Sequence, residues 1–326
     1  MSDPTTGQRV GFWLLLGLTS TAFAEVLFPT TAFDPATMVL FAVPVYLLHS
    51  VVLAAVVYRA DRVSYPTLYL AGVLLGLYEA YVTKVLWAPL GDRPAVEVGG
   101  VYVFETVGLV LFWHPVVAFL LPVVVVETVA TASDRSLRPP LAGHRYSRPL
   151  VIALLFYLLL FQGALGGPLR ALLGNAVALS LLVVAVLAWR RTGGHTHDMR
   201  ALLPDGRPLG VLAVCLVGVS VALGALIRPE ALPRRPVPHF LILSMYLVAG
   251  GLLAVLLRGD RIPSQGVSVR VTWRRILTGA GVIVLASPLL GVVGVPFAVL
   301  VFLSYYAVGV GVGAASLGAV TLAIRS

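Results

Sequence analysis

Long apolar runs alternate with short polar connections along the whole chain. Ten of these runs are close to the roughly 20 residues that an α-helix needs to cross a bilayer. They cover residues 11–28, 35–58, 66–88, 107–131, 149–167, 171–189, 208–227, 239–257, 276–293 and 296–322. Proline or glycine lies at nearly every junction, where such residues interrupt helices. The pattern predicts an all-α polytopic integral membrane helix bundle with about ten transmembrane helices.

The connections are too short to hold a soluble domain, so residues 1–326 are expected to form a single membrane domain. Ionisable side chains within apolar runs are concentrated in the spans over residues 11–131. The spans over residues 149–322 are mostly apolar. We therefore expect the first group to carry a polar site and the second to act as scaffold, or as the wall of an apolar pocket.

Composition supports the membrane assignment. Hydrophobic residues make up 59% of the chain and charged residues only 11%, whereas soluble domains carry about 25% charged residues. The net charge of +9 comes from arginines in short connections, which is typical of membrane topology and leaves no separate basic domain for nucleic acid. Membrane lipids are the expected surroundings. The single cysteine, Cys215, excludes a disulfide within one chain.

The arginines also predict an orientation. The connections after spans two, four, six and eight hold fifteen arginines, and the alternate connections hold five. The positive-inside rule then places the first set in the cytoplasm. We expect a multi-pass protein of the cell membrane with cytoplasmic N- and C-termini.

The first span has a second interpretation. Arg9, a short apolar core and the Ala22-Phe23-Ala24 sequence resemble a signal peptide with a cleavage site before Glu25. The apolar run continues through Val26 and Leu27, which favours a retained span. Cleavage would leave nine spans with the same C-terminal orientation.

Two sequence features predict irregular or close helix packing. Pro115 and Pro122 interrupt span four, and a proline removes a helix hydrogen bond, so we expect this span to be kinked or broken near Pro115. Small residues also recur at four-residue spacing, which lets helix backbones approach closely. These pairs are Gly72 with Gly76, Gly163 with Gly167, and Gly309 with Gly313.

Five ionisable residues are the candidates for binding a substrate or a proton: Glu25, Glu79, Lys84, Glu105 and His114. Lys84 is the only lysine in the chain. With the predicted topology and a rise of about 1.5 Å per residue, all five fall in the outer half of the membrane. Ionisable groups at such depth cost about 2.5–3.5 kcal/mol each, so a functional role is the default interpretation.

Depth also restricts the pairing of these groups. Glu79 and Lys84 are five residues apart, so they do not form an i,i+4 pair. Depth permits Glu79 to meet Glu105 or His114, and Lys84 to meet Glu25 or Glu105. Two structural alternatives remain open: a static interhelical ion pair that fixes packing, and a lysine that extends outward to the interface.

Other polar residues are weaker candidates. His49 and Glu127 lie towards the cytoplasmic side and could form a second polar step across the membrane. The segment from His195 to Asp198 offers metal-ligand residue types, but its glycine- and arginine-rich surroundings favour a solvated loop, so no metal site is expected. The sequence contains no motif for a cofactor or a catalytic centre that we can assign, so no cofactor is expected and catalytic residues are not assigned.

Two functions compete on this basis. The first is a transporter or permease in which protonation of Glu79 gates a small solute. The second is a membrane-embedded enzyme that acts on a lipid or isoprenoid substrate, with a glutamate and His114 as acid and base. A non-catalytic membrane subunit is the third alternative.

Overall fold

The computed structural model describes residues 3–27, 38–88, 96–133, 147–259 and 273–325. Six arginines that the orientation argument uses lie outside these ranges: Arg93, Arg135, Arg138, Arg145, Arg261 and Arg270.

The described residues contain ten long helices, which correspond in order to the ten predicted spans. They are α1 (Thr6–Leu27), α2 (Met38–Arg59), α3 (Tyr65–Thr83), α4 (Val103–Ala130), α5 (Ser147–Gly166), α6 (Pro168–Arg191), α7 (Gly206–Leu226), α8 (Pro236–Arg258), α9 (Trp273–Gly294) and α10 (Ala298–Arg325). Of the residues that the structure describes, 86% are helical. The prediction of an all-α polytopic membrane helix bundle is confirmed.

Seven helical segments in the described ranges are long and apolar enough to cross a membrane. One of them, Arg274–Arg325, has 52 residues and would extend about 78 Å as a straight helix, far beyond the roughly 30 Å of a bilayer core. A short 3₁₀ turn at Val295–Phe297 divides it into α9 and α10. This segment therefore has the length for two crossings.

Local sequence signals determine where several helices begin. Thr5 and Ser64 each form a capping box, at the start of α1 and of α3, and thereby satisfy amide groups that have no partner in the first turn. Proline occupies the first turn of α3, α6 and α8. Its missing N–H costs nothing there, since that group has no helical partner.

A small hairpin precedes α4. Its strands, β1 (Glu97–Val98) and β2 (Val101–Tyr102), pair antiparallel, with Glu97 opposite Tyr102 and Val98 opposite Val101. Gly99 and Gly100 form the turn, both with positive φ, as a type I′ turn requires. The helix α4 begins at Val103, directly after this hairpin and four residues before the predicted start of span four at residue 107.

The irregularity expected in α4 takes the form of π-helical turns over Thr106–Leu120, with Pro115 inside them. The helix continues through Pro115 to Ala130. An α-helical residue at position 115 would bond to the carbonyl of Leu111, and proline cannot. That carbonyl accepts a hydrogen bond from the Tyr69 hydroxyl at 2.8 Å, so a side chain of α3 satisfies it.

Contacts between Cα atoms divide the chain into two compact units. The first comprises Met1–Val51, Leu121–Pro204 and Pro263–Tyr305, and the second comprises Val52–Leu120, Asp205–Ile262 and Tyr306–Ser326. In the first unit, α9 packs against α5 and α6. In the second, α3 packs against α4, α7 and α8. Each unit combines segments from both halves of the sequence.

The predicted glycine pairs mostly lie at close helix contacts. A Cβ on Gly72 would overlap the backbone of Pro115, and one on Gly76 would lie 3.1 Å from the Cβ of His114. Gly163 faces Gly291 at similarly close range, and Gly309 and Gly313 face α4. Gly167 differs, since nothing lies within 4 Å of the position its Cβ would take.

The contact at Gly72 yields a testable prediction. Gly72→Ala places a methyl group against the backbone of Pro115, which cannot rotate away as a side chain could. We expect a loss of about 1–3 kcal/mol in the free energy of unfolding, as in other overpacked sites. The measurement is SDS-induced or thermal unfolding of the purified protein in detergent.

Gly218→Ala on α7 is the matched control, because nothing lies within 4 Å of its Cβ position. That change should be neutral or slightly stabilising, since alanine is the better helix former. Equal stability of the two variants would contradict the packing argument.

Candidate functional site

The structure brings together two of the predicted site residues, Glu79 and His114. Nε2 of His114 lies 3.3 Å from Oε2 of Glu79. The His114 side chain is only 4% exposed and that of Glu79 20% exposed. A carboxylate and an imidazole are thus in contact within the helical core of the second unit.

Helix geometry explains this contact. Gly72, Gly76 and Glu79 follow an i, i+4, i+7 spacing, which places them on one face of α3. The two glycines let this face approach α4 at Pro115 and His114. Glu79, one turn further along the same face, therefore reaches the imidazole.

The second nitrogen of His114 defines where the protons lie. Nδ1 is 3.0 Å from the carbonyl oxygen of Leu109. A carbonyl oxygen only accepts hydrogen bonds, so Nδ1 carries a hydrogen. Nε2 is then either a second donor, in a charged imidazolium, or an acceptor, in a neutral imidazole.

A favourable contact between Nε2 and Glu79 consequently requires one proton between them. The proton belongs either to an imidazolium facing a carboxylate or to a carboxyl group facing a neutral imidazole. Both forms are neutral overall. The geometry makes Glu79 and His114 a pair that can hold and release a proton.

Lys84 has different partners from the carboxylates considered for it. The residue ends α3 in a left-handed conformation, with φ of 60°. Its fully buried Nζ donates to the carbonyl of Gly224, near the end of α7, and to that of Val82 at 3.1 Å. It also lies 5.4 Å from the centre of the Tyr81 ring. Lys84 thus binds carbonyls at the ends of two helices.

Arg228 makes the reciprocal connection. It follows α7, also with positive φ, and its guanidinium donates to the carbonyls of Thr83 at 3.1 Å and Ala88 at 2.9 Å. The last carbonyls of a helix have no helical partner and carry partial negative charge. Lys84, which directly follows α3, therefore caps α7, and Arg228, which lies two residues after the end of α7, caps α3.

This reciprocal capping replaces the expected ion pair of Lys84 with Glu25 or Glu105. It also excludes the alternative in which Lys84 extends outward to the interface, because the amine is buried between two helix ends. Sequence reasoning missed Arg228, which counted only towards the orientation. The available signal was a cation directly after an apolar run, since Arg228 follows the predicted span 208–227.

The remaining candidates are distributed over both units. Glu105 is buried near the start of α4, in the second unit. Glu25 belongs to the first unit, where its Oε1 accepts a hydrogen bond from the Tyr46 hydroxyl at 2.6 Å. The structure thus assigns Glu25 to a different unit from Glu79, Lys84, Glu105 and His114.

The two residues of the expected second polar step have local partners in the first unit. Nδ1 of buried His49 lies 2.7 Å from the carbonyl of Val45, on the same helix. Oε1 of buried Glu127 accepts from the Ser133 hydroxyl at 2.9 Å. A path between these side chains stays a prediction.

The His195–Asp198 segment is more buried than expected. His197 is buried, and its carbonyl accepts from the amide of Ala132 at 2.9 Å, just beyond the end of α4. Within the described ranges, no group of three or more potential metal ligands is placed to hold an ion. The segment packs against the end of α4.

Comparison with known proteins places the chain in a family. Residues 14–325 match the Uncharacterized membrane protein family. The chain belongs to this family. An "Uncharacterized protein" of Archaeoglobus fulgidus is 42% identical to this chain over 127 residues. These residues are 38% of this chain and 40% of the relative. No solved structure matches the chain.

Family membership and the apolar helices together identify a multi-pass membrane protein. The aligned part of the Archaeoglobus protein covers less than half of its length.

The capping arrangement predicts how mutations combine. Lys84→Met removes a charged donor from two carbonyls and should destabilise the protein by about 1.5–3 kcal/mol, a value typical of hydrogen bonds to charged groups. Glu79→Gln acts at a separate contact. We expect the losses of the two variants to add in the double mutant, because independent sites add and coupled sites do not.

The matched comparison is the double mutant of Lys84→Met with Arg228→Met. These residues serve the same pair of helix ends, so their losses should not add. Recovery of stability in the Glu79→Gln, Lys84→Met double mutant would instead show a direct ion pair and contradict the capping account. Unfolding in detergent measures the wild type and all five variants on one scale.

Proposed function

We propose that the protein is a transporter that couples the movement of a small solute to the binding and release of a proton by Glu79 and His114. The observation that supports this proposal is the 3.3 Å contact between Nε2 of His114 and Oε2 of Glu79. Ionisable groups inside membrane proteins characteristically mark ion pathways and proton relays.

The energetics of the pair supply the coupling. With one proton, the pair is neutral and suits a buried position. Without that proton, it leaves a negative charge whose burial costs several kcal/mol. Proton release therefore requires water to reach the pair or a compensating change beside it. A conformational change that opens the site on one side would meet this condition.

The irregular backbone of α4 suits such a change. π-helical turns are rare and often occur at functional sites. Irregular backbone at membrane depth is tolerated where protein buries it or where it lines a cavity. Here the irregular turns carry His114 directly, so a local return to α-helical bonding would rotate the imidazole relative to Glu79.

The contact favours transport over catalysis. A catalytic acid or base must reach a proton on the substrate within hydrogen-bond distance. In this arrangement the two groups reach each other, and Nδ1 of His114 is directed at the Leu109 carbonyl. An enzyme that acts on a lipid is therefore the less direct interpretation of this pair.

We also propose that the protein lies in the cell membrane with both termini in the cytoplasm. The arginine distribution supports this orientation. The ends of α3 and α7 meet at Lys84 and Arg228, as expected for two odd-numbered spans that run in the same direction.

Proton coupling can be tested with pyranine-loaded proteoliposomes that contain the full chain. Gradients of amino acids, monosaccharides and short-chain carboxylates are imposed in turn. We expect one class to change the internal pH in the wild type. Glu79→Gln should remove this change, because the amide cannot exchange the proton.

Glu97→Gln is the control, since it makes the same chemical change at an exposed residue of the hairpin. Solute uptake that proceeds equally without proton movement in the wild type and in Glu79→Gln would contradict the proposal.

Orientation can be tested by cysteine labelling in a Cys215→Ser background. A cysteine replaces Ser136, in the arginine-rich connection after span four. A membrane-impermeant maleimide should label it only after the cells are permeabilised. Labelling in intact cells would reverse the orientation.

A further inference from the structure

A cavity of about 520 Å³ lies within the first unit, between α1, α2, α5 and α6. This volume is within the range of about 300–1,000 Å³ typical of small-molecule sites. We infer that the cavity binds a single phospholipid, with the lipid phosphate at Arg170 and a hydrogen-bond donor of its head group at Glu25.

The cavity has a long apolar wall. Its lining residues on α6 recur at helical spacing, from Arg170 through Val177 and Leu181 to Ala185, so they share one face of the helix. Ala185 lies 15 positions after Arg170, which corresponds to about 22 Å along the helix axis. Half of a bilayer core is about 15 Å thick. The wall is therefore long enough for the acyl or isoprenoid chain of a lipid in one leaflet.

The apolar wall is also open on one side. Val177 and Leu181 are 57% and 65% exposed, although both line the cavity. On a helix that crosses a membrane, exposed apolar side chains face lipid. A hydrocarbon chain can thus enter sideways from the bilayer, without passing through water.

Two buried amides fix the wall near the polar end. Nε2 of Gln162 donates to Oδ1 of Asn175 at 3.2 Å, and Nδ2 of Asn175 donates to Oε1 of Gln162 at 2.9 Å. Gln162 also donates to the carbonyl of Val26, near the end of α1, at 3.0 Å. These bonds connect α5, α6 and α1. Both polar atoms of the Gln162 side chain are hydrogen-bonded to other residues of the protein.

Arg170 and Glu25 are the charged residues that line the cavity, so we assign the binding of the head group to them. Arg170 is exposed in the first turn of α6, at the end of the predicted span, where lipid head groups lie. Its guanidinium suits a phosphate, which it can bind through two parallel hydrogen bonds. Glu25 lines the same cavity, and its carboxylate accepts hydrogen bonds. Phosphate together with an ammonium or hydroxyl group is the complementary head-group chemistry.

The cavity consists of residues from the first unit, whereas the proposed proton pair belongs to the second. This inference therefore does not rest on the proposed function. A lipid-binding measurement can succeed or fail whatever the proteoliposomes show.

The test uses native mass spectrometry of the full chain in mixed micelles. The micelles contain equal amounts of phosphatidylethanolamine, phosphatidylglycerol and phosphatidylcholine. We expect one retained lipid per chain. The first two lipids should be preferred, because the choline group has no N–H or O–H donor for Glu25.

Arg170→Gln should weaken retention about tenfold or more, the usual consequence of losing a hydrogen bond to a charged group. Arg191→Gln, at the other end of α6, should have no effect. Glu25→Gln should reduce the preference for phosphatidylethanolamine over phosphatidylcholine.

A second pair of variants tests the apolar wall. Ala185→Phe narrows the far end of the cavity and should reduce retention, whereas Leu173→Phe changes an exposed residue of α6 that does not line it. Equal retention of all three lipids by the wild type and Arg170→Gln would identify ordinary surrounding lipid and overturn the inference. Retention unaffected by Ala185→Phe would equally overturn the assignment of the lipid chain.

Discussion

The candidate site depends on the absence of two side chains. Because Gly72 and Gly76 carry no Cβ, α3 approaches α4 until its backbone meets Pro115 and His114. Within a bilayer, apolar surface gains little from helix association, so close packing of this kind has to hold helices together. The same approach brings Glu79, on the same face of α3, to the imidazole. Packing and chemistry thus share one interface.

A second constraint concerns backbone carbonyls, which need donors where water is absent. The Tyr69 hydroxyl reaches the carbonyl of Leu111, near Pro115. Lys84 and Arg228 bind carbonyls near the ends of each other's helices. In the first unit, the Trp189 indole donates to the carbonyl of Ala130, the last residue of α4, at 2.7 Å. Polar side chains in these helices thus donate hydrogen bonds to backbone carbonyls, in addition to forming the candidate site.

The sequence predicted the helices well because length and hydropathy define a membrane span almost directly. It predicted the site only in part. Span depth allowed two partners for Glu79, and the structure shows contact with one of them, His114. Depth fixes one coordinate of a side chain but not its direction around the helix. The partners of Lys84 could not be predicted for this reason, and neither could the assignment of Glu25 to the first unit.

The central claim is that Glu79 and His114 act as one unit that holds a proton. A double-mutant cycle with Glu79→Gln and His114→Asn, read out by unfolding in detergent, tests it most directly. Contacting residues show interaction energies of about 0.5–3 kcal/mol. The account predicts a double mutant that is more stable than the sum of the single losses implies, and a coupling that shrinks when Gly76→Ala separates the helices. Strictly additive losses, unchanged by Gly76→Ala, would contradict it.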